Sequence, residues 1–289
     1  MAVICRVAKP DEYQAMIEVE KTVFPGHYYL PDVEENFKDP KRGVLLVSEE
    51  DGKITGVDHV GFLCDGSGWM ETLRVLPEYQ GRGAGNAIWK KALEICEENK
   101  LNALRMYTGL TNVRSKHLGE KFGLSVAVQT QEANLLKEEF RPEFAAPAGK
   151  SPEEAFGFEK VTDGARAYEL IRPYAEGYQN YICFNRTYVP LNEQVCAWLA
   201  DQGFVYACGS NVAVLGGRYM RKHALHIGVI GGDLELCLAF AMAKFAESGL
   251  PKFTCMYPSV REDIREALRA KGFAIPENHI IMLERKFDW

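Results

Sequence analysis

What the chain lacks narrows it first. None of its eight cysteines (5, 64, 96, 183, 196, 208, 237 and 255) forms a C-x-x-C pair or a metal-like cluster, and most lie in apolar stretches such as Leu236-Cys237-Leu238. That argues against a cysteine metal site and fits small buried thiols in a reducing, cytoplasmic setting. An excess of positive charge is missing too. The net charge is −6, which counts against non-specific binding to nucleic acid or anionic membranes. The longest apolar region, Leu236 to Ala243, is too short to cross a bilayer. The N-terminus has no basic stretch followed by an apolar core, so no signal peptide is expected. What remains, 47% apolar and 26% charged residues over 289 positions, is an ordinary globular composition with room for two domains.

The most informative stretch runs from Leu73 to Gly85 and into the helix behind it. Met70 to Val75 is extended in character. From Asn86 to Glu98 the residues Ile88, Trp89, Ala92, Leu93, Ile95 and Cys96 recur at helical spacing. A strand thus feeds a glycine-rich turn, and the turn opens a helix. Gly81, Gly83 and Gly85 let the backbone approach a ligand and turn several N–H groups one way. The helix N-terminus adds unpaired donors and the positive end of its dipole, which suits a phosphate or pyrophosphate. A tight strand-to-helix turn is the plainer reading of the same glycines. The loop ends without Gly-Lys-Ser/Thr and lacks the Rossmann spacing, so two common nucleotide motifs do not apply.

The rest of the chain alternates strands and helices. Strands are expected over Ala2–Ala8, Val44–Ser48, Ile54–Cys64, Trp69–Val75 and Ala103–Thr108, with another starting at Ser125–Thr130; Asp51-Gly52 is a hairpin signal. Helices are expected over Pro10–Thr22, Asp32–Lys38 and Asn112–Phe122. Between the first two, Phe24-Pro25-Gly26-His27-Tyr28-Tyr29-Leu30-Pro31 is too punctuated for a regular element yet rich in rings. Residues 139–155 hold three prolines and little periodicity, and read as a linker. Beyond it come a strand at Tyr181–Tyr188, a helix at Glu193–Gln202, paired strands at Val212–Leu215 and His223–Ile230, a helix at Leu234–Ser248, a strand at Phe253–Tyr257, a helix at Arg261–Lys271 and a strand at Ile280–Lys286. That order echoes the first half, with Gly231-Gly232-Asp233 in place of the long glycine loop; an unrelated α/β domain is the alternative reading.

Two motifs carry a family resemblance. Gln80-x-x-Gly83-x-Gly85, with Val75-x-Pro77 ahead of it, is followed by Asn112-x-x-Ser115-x-x-Leu118-x-x-Lys121-x-Gly123-Leu124. In this order and spacing the pair resembles the acetyl-CoA-binding core of the GNAT N-acetyltransferases. The resemblance implies an α/β (α+β) GNAT fold, with a mixed, largely antiparallel central sheet flanked by helices. A degenerate second GNAT-like domain follows. The domains would be 1–138 for catalysis, 139–155 as linker and 156–289 as a C-terminal copy that has lost acetyl-CoA binding.

The resemblance also implies roles. Leu73, Arg74 and Val75 would run along the pantetheine arm of acetyl-CoA, the main chain of Leu73 and Val75 pairing with it. Gln80, Gly81, Arg82, Gly83, Ala84, Gly85 and Asn86 would hold its pyrophosphate, and Asn112 and Ser115 would face it from the later helix. Asn112 also fits a helix cap. His27, Tyr28 and Tyr29 would border the acceptor.

Acyl transfer to an amine needs a base, because the amine arrives protonated, and a donor for the developing oxyanion. Glu71 is the candidate base; strict alternation places it on the face of Trp69, Leu73 and Val75, where the alternative is a strand-edge ion pair. The acid that many GNAT enzymes supply from a tyrosine falls here on Gly119, so His117, Tyr107 or water would have to serve. The implied reaction is direct acetyl transfer to a primary amine of a small molecule, such as an amino acid or polyamine-like amine, by a monomer or homodimer. Tyr29-Leu30-Pro31 and Glu71-x-Leu73-Arg74-Val75-x-Pro77 are similar to vertebrate-type histidine N-acetyltransferases. A non-catalytic acetyl-CoA sensor, a protein amine as acceptor and a longer acyl group stay open as alternatives.

Overall fold

The computed structural model describes residues 3–289; Ala2, where the first strand was expected to start, lies outside them. The chain forms two compact units. The first comprises residues up to Thr108, Asn112–Ala127 and Met282–Trp289, and the second Gly109–Thr111 with Val128–Ile281. The first unit therefore takes in eight residues from the end of the chain, which the sequence reading placed in a C-terminal domain.

In the first unit the elements run β1 (Ile4–Val7), α1 (Tyr13–Val23), α2 (Leu30–Phe37), β2 (Gly43–Glu50), β3 (Lys53–Phe62), β4 (Gly68–Val75), α3 (Ala84–Glu98), β5 (Ala103–Gly109), α4 (Val113–Lys121) and the start of β6 (Ser125–Leu136). The strands lie in the order β1-β2-β3-β4-β5, and the chain's last strand follows β5. Strands β1 to β4 pair antiparallel, and β4 pairs parallel with β5. The Asp51-Gly52 hairpin forms as expected, both residues taking positive φ, 54° and 78°. Helix α3 buries Ile88, Trp89, Ala92, Ile95 and Cys96 of the stripe read from its spacing, and leaves Leu93 half-buried. Burying side chains the size of Ile88 and Ile95 contributes roughly 1.5–3 kcal/mol each, and Ala92 less.

One polar cluster sits inside this unit. Arg105 on β5 donates through Nη1 to Asp65 Oδ2 at 2.7 Å and through Nε to Glu284 Oε1 at 2.6 Å. The three side chains are only 4%, 2% and 7% exposed. Trp89, by contrast, lies flat against Phe122 at 5.4 Å. The end of the chain is further held by Phe287 N–H on the Asn102 carbonyl and by Trp289 Nε1 on the Leu101 carbonyl.

The second unit holds most of β6, then α5 (Pro152–Phe156), β7 (Glu159–Val161), α6 (Gly164–Ile171), β8 (Tyr181–Phe184), β9 (Thr187–Pro190), α7 (Glu193–Asp201), β10 (Val205–Cys208), β11 (Asn211–Gly216), β12 (Leu225–Gly231), α8 (Leu234–Ser248), β13 (Lys252–Pro258), α9 (Glu262–Ala270) and the start of β14 (His279–Lys286). Its main sheet runs β6-β13-β12-β11-β10-β7, with β8-β9 as a separate pair. The single strand expected at Tyr181–Tyr188 is instead a hairpin. Asn185 and Arg186 both take positive φ, 51° and 56°, and fold the run back on itself. The expected linker carries α5, whose N-terminus is closed by a capping box between Ser151 and Glu154. As in the first unit, an antiparallel strand (β12) leads through a helix to a parallel partner (β13).

Candidate active site

Glu71 lies on β4 directly opposite His59 on β3. Glu71 Oε1 and His59 Nδ1 are 3.0 Å apart, and both side chains are 2% exposed. The imidazole is held from two sides. The Phe37 ring of α2 stacks on it at 3.9 Å and 14°. Gly43 of β2 passes so close that an added Cβ would stand 2.5 Å from His59 Nε2. His59 and its neighbour Asp58 were not singled out from sequence. The signal was there: two ionisable residues in the middle of the apolar run Ile54–Cys64, where burial without partners is costly.

The strand does not alternate past Glu71. His59 pairs with Glu71 but Val57 pairs with Arg74, so Thr72 and Leu73 together oppose Asp58. This is a β-bulge, and Thr72 occupies it with φ of 71°. The expectation that Glu71 shares a face with Leu73 and Val75 is thereby corrected: Glu71 shares its ladder face with Trp69 and Arg74. Positive φ is a strained choice for a β-branched residue.

Asp58 is fully enclosed, and neither carboxyl oxygen has a partner at full hydrogen-bonding geometry among the described residues. Burial pushes its pKa well above the ordinary aspartate value, and the nearby Glu71 charge adds to this; the His59 amide and Arg74 offset part.

The cofactor segment follows. β4 and β5 pair only from Gly68 to Met70, so beyond Glu71 the β4 edge has no ladder partner on that side among the described residues. The Leu73 carbonyl accepts instead from Arg74 Nη1 (3.1 Å), and the Val75 carbonyl from Gln80 Nε2 (3.0 Å). Gly81 and Gly83 take φ of 78° and 103°, and a Cβ on either would meet nothing within 4 Å. Gly83 is the N-cap of α3 and offers no side chain to its first amides, at Ala84, Gly85 and Asn86. An open, uncapped helix start next to an unpaired strand edge fits a pantetheine pyrophosphate. Arg82 pairs with Glu50 at 2.6 Å, and Asn86 Oδ1 accepts from Lys121 Nζ at 2.8 Å. Asn112 caps α4, its Oδ1 accepting from Ser115 N–H at 3.2 Å.

Of the acceptor residues, the structure brings only Tyr29 to the Glu71 strand, its hydroxyl 2.8 Å from Thr72 Oγ1. His27 and Tyr28 are exposed in the α1–α2 loop, with Lys21 over the Tyr28 ring at 5.4 Å. Tyr107 lies parallel to Trp69 at 6.3 Å and within the electrostatic reach of Tyr29. His117 is exposed on α4 and is not brought to this cluster. Gly119 faces the core: a Cβ there would stand 3.4 Å from Leu283 Cδ2 and Met106 Sδ. A larger side chain at this position would meet packed atoms.

Residues 13–124 match the Acetyltransferase (GNAT) family. Over 114 residues the chain is 28% identical to a Bacillus subtilis (strain 168) protein provisionally named a ribosomal protein bS18-alanine N-acetyltransferase, covering 39% of this chain and 75% of that protein. Among solved structures, a GCN5-related N-acetyltransferase from Sphaerobacter thermophilus superposes with TM-score 0.64 at 15% identity, over 98% of this chain and 95% of the other. A tandem GNAT protein from the clavulanic acid biosynthesis pathway superposes with TM-score 0.60 at 12% identity, over 98% of each. At such identities these two likenesses show the fold: a tandem GNAT architecture of mixed α/β layers. No helix among the described residues is long and apolar enough to cross a membrane.

Proposed function

We propose, for a chain that belongs to the GNAT acetyltransferases through residues 13–124, that the acceptor is the primary amine of a small molecule and that Glu71 is the base. The observation that carries this is the enclosure of Glu71, held 3.0 Å from a His59 ring on which Phe37 of α2 stacks, with the Tyr29 hydroxyl at the next residue, Thr72. An ammonium small enough to enter beside α2 fits such a site better than a folded protein surface does.

Acetyl-CoA supplies the activated acetyl thioester. The residues then divide the work. Main-chain groups at Leu73 and Val75, which have no ladder partner on the β5 side, take the pantetheine arm, with Arg74 Nη1 and Gln80 Nε2 giving way. The Gly81–Asn86 turn takes the pyrophosphate. Glu71 receives one proton of the ammonium; as the amine nitrogen forms its bond to the acetyl carbon and the carbon–sulfur bond breaks, the nitrogen gives its second proton, through water, to the departing thiolate, leaving the amide and a free thiol. His59 at Glu71 shares that charge. Direct transfer is the reading because no cysteine lies in the Leu73–Asn86 or Asn112–Leu124 motifs, and burial holds the Cys5 and Cys96 thiols up at about 12.

The second unit is proposed to have lost the cofactor. Tyr178 hydroxyl bonds both the N–H and the carbonyl of Ile230 on β12, at 2.8 and 3.1 Å. Asp233 caps α8, accepting from Leu236 N–H at 3.0 Å, where the first unit has bare Gly83. A cavity of about 320 Å³ remains, lined by Tyr174, Gly232, Arg261 and Asp263, and there the Arg261 guanidinium is already paired with Asp263 at 2.6 Å.

The second reading is a protein amine, favoured by the name of the Bacillus relative. Thiol release from acetyl-CoA separates the two. The panel holds amino acids including histidine, polyamines and a peptide beginning with alanine. Release with the free amines supports the proposal. Release with the peptide alone replaces it, and binding without release with any acceptor points to a sensor.

A further inference from the structure

Thr72 is the joint of the proposed site. It directly follows Glu71 and directly precedes Leu73, so its backbone angle sets how the base is aimed relative to the segment that pairs with the cofactor. That angle is unfavourable: φ is 71° in a β-branched residue, a conformation that glycine adopts freely and other residues resist. Something must hold it there. Thr72 Oγ1 is 2.8 Å from the Tyr29 hydroxyl.

Tyr29 is itself rigidly placed. It is the N-cap of α2. Its N–H and that of Leu30 both donate to Oε2 of the buried Glu20, at 3.1 and 2.9 Å. The Tyr13 hydroxyl donates to the Leu30 carbonyl at 2.8 Å. The Tyr29 ring meets Phe37 edge to face at 6.4 Å, and Phe37 stacks on the His59 that bonds Glu71. Helix α2 thus grips two consecutive β4 residues: Glu71 through Phe37 and His59, and Thr72 through Tyr29.

We propose that Tyr29 is a positioning residue: its hydroxyl latches Thr72 in the left-handed conformation and so fixes Glu71 against the cofactor segment. This rests on the reading of Glu71 and Leu73–Val75 given above, and assigns Tyr29 a role other than contact with the acceptor.

Three substitutions separate the latch from its alternatives. Tyr29→Phe removes only the hydroxyl. Thr72→Ala removes the hydroxyl's partner and leaves a residue that resists positive φ. Thr72→Gly removes the same partner but adopts the conformation unaided. We expect Tyr29→Phe and Thr72→Ala each to lower kcat roughly tenfold, with acetyl-CoA affinity and melting temperature nearly unchanged. Thr72→Gly should keep most of kcat, and Tyr29→Phe added to it should cost less than about twofold, the two sites being coupled only through this contact. Equal losses from Tyr29→Phe in both backgrounds, or equal losses in Thr72→Ala and Thr72→Gly, would overturn the latch, because the hydroxyls would then act on substrate themselves. The Thr72 ¹³Cα and ¹³Cβ shifts, which follow φ, should move in Tyr29→Phe; unchanged shifts also overturn it. If no acceptor is turned over, the transferase reading fails and these shifts still decide the latch.

Discussion

Asp58 offers the sharpest physical test of the site. Its carboxyl is enclosed in the bulge without a full hydrogen bond, and burial, reinforced by Glu71, holds its proton well above the ordinary aspartate value of 3.8. Below that value the carboxyl is protonated in both folded and unfolded chains and contributes no pH dependence. Above it the unfolded chain releases the proton while the folded chain retains it, so each further rise in pH favours unfolding. The loss continues until the folded carboxyl also ionises and then levels off. For one proton the slope is about 1.4 kcal/mol per pH unit. Asp58→Asn keeps the shape and abolishes the titration, so the variant gains on the parent as pH rises. In a unit of this size that amounts to about 5 °C of melting temperature per pH unit within the window. The assay is a pair of thermal melts, parent and variant, from pH 4 to pH 8, with the difference plotted against pH. Asparagine brings its own desolvation cost, but that offset is constant and leaves the slope intact. Parallel curves across the range would refute the reasoning, since they would mean that Asp58 is ionised and satisfied in the folded chain.

Three further outcomes follow from the same geometry. Glu71→Gln should lower kcat by roughly 10²–10⁴-fold with acetyl-CoA affinity nearly unchanged; turnover at the parent rate removes Glu71 from the proton transfer. Gly83→Glu places a bulky anion at φ of 103° and at the bare start of α3, so calorimetry should find acetyl-CoA binding weakened by roughly a hundredfold or more. Arg105→Met strands Asp65 and Glu284 in the interior, and urea unfolding of the first unit should show a loss of about 3–5 kcal/mol.

The glycine loop, α3 and the strand–helix–strand order around them were legible because local rules fix them: glycine at positive φ and an apolar stripe of period 3.6. The bulge at Thr72 was not. Alternation is a rule for regular strands, and a threonine gives no local sign that it will adopt a glycine-like φ. For the same reason strict alternation puts Leu73 and Val75 on the Glu71 face, where the bulge does not leave them. The hairpin at Asn185-Arg186 escaped because an arginine rarely occupies the second position of such a turn. His59 and Asp58 were visible as ionisable residues in an apolar strand, but only cross-strand register pairs His59 with Glu71. His117 shows the converse: a helical histidine close to a motif in sequence points to solvent, because Gly119, two positions on, is the residue that packs inward.

Residues 282–289 close the first unit, and this has a temporal meaning. During synthesis the ribosome makes Val128–Ile281 between the two halves of that unit. At 5–20 residues per second the delay is roughly 8–30 s. Over that interval Arg105 has Asp65 within reach but not Glu284, and the Leu101 and Asn102 carbonyls lack the Trp289 and Phe287 donors. The part of the chain that matches the acetyltransferase family is therefore first to be made and cannot be first to finish. A nonsense mutation within codons 282–289 would injure the first unit while leaving every residue of its glycine loop and α4 motif intact.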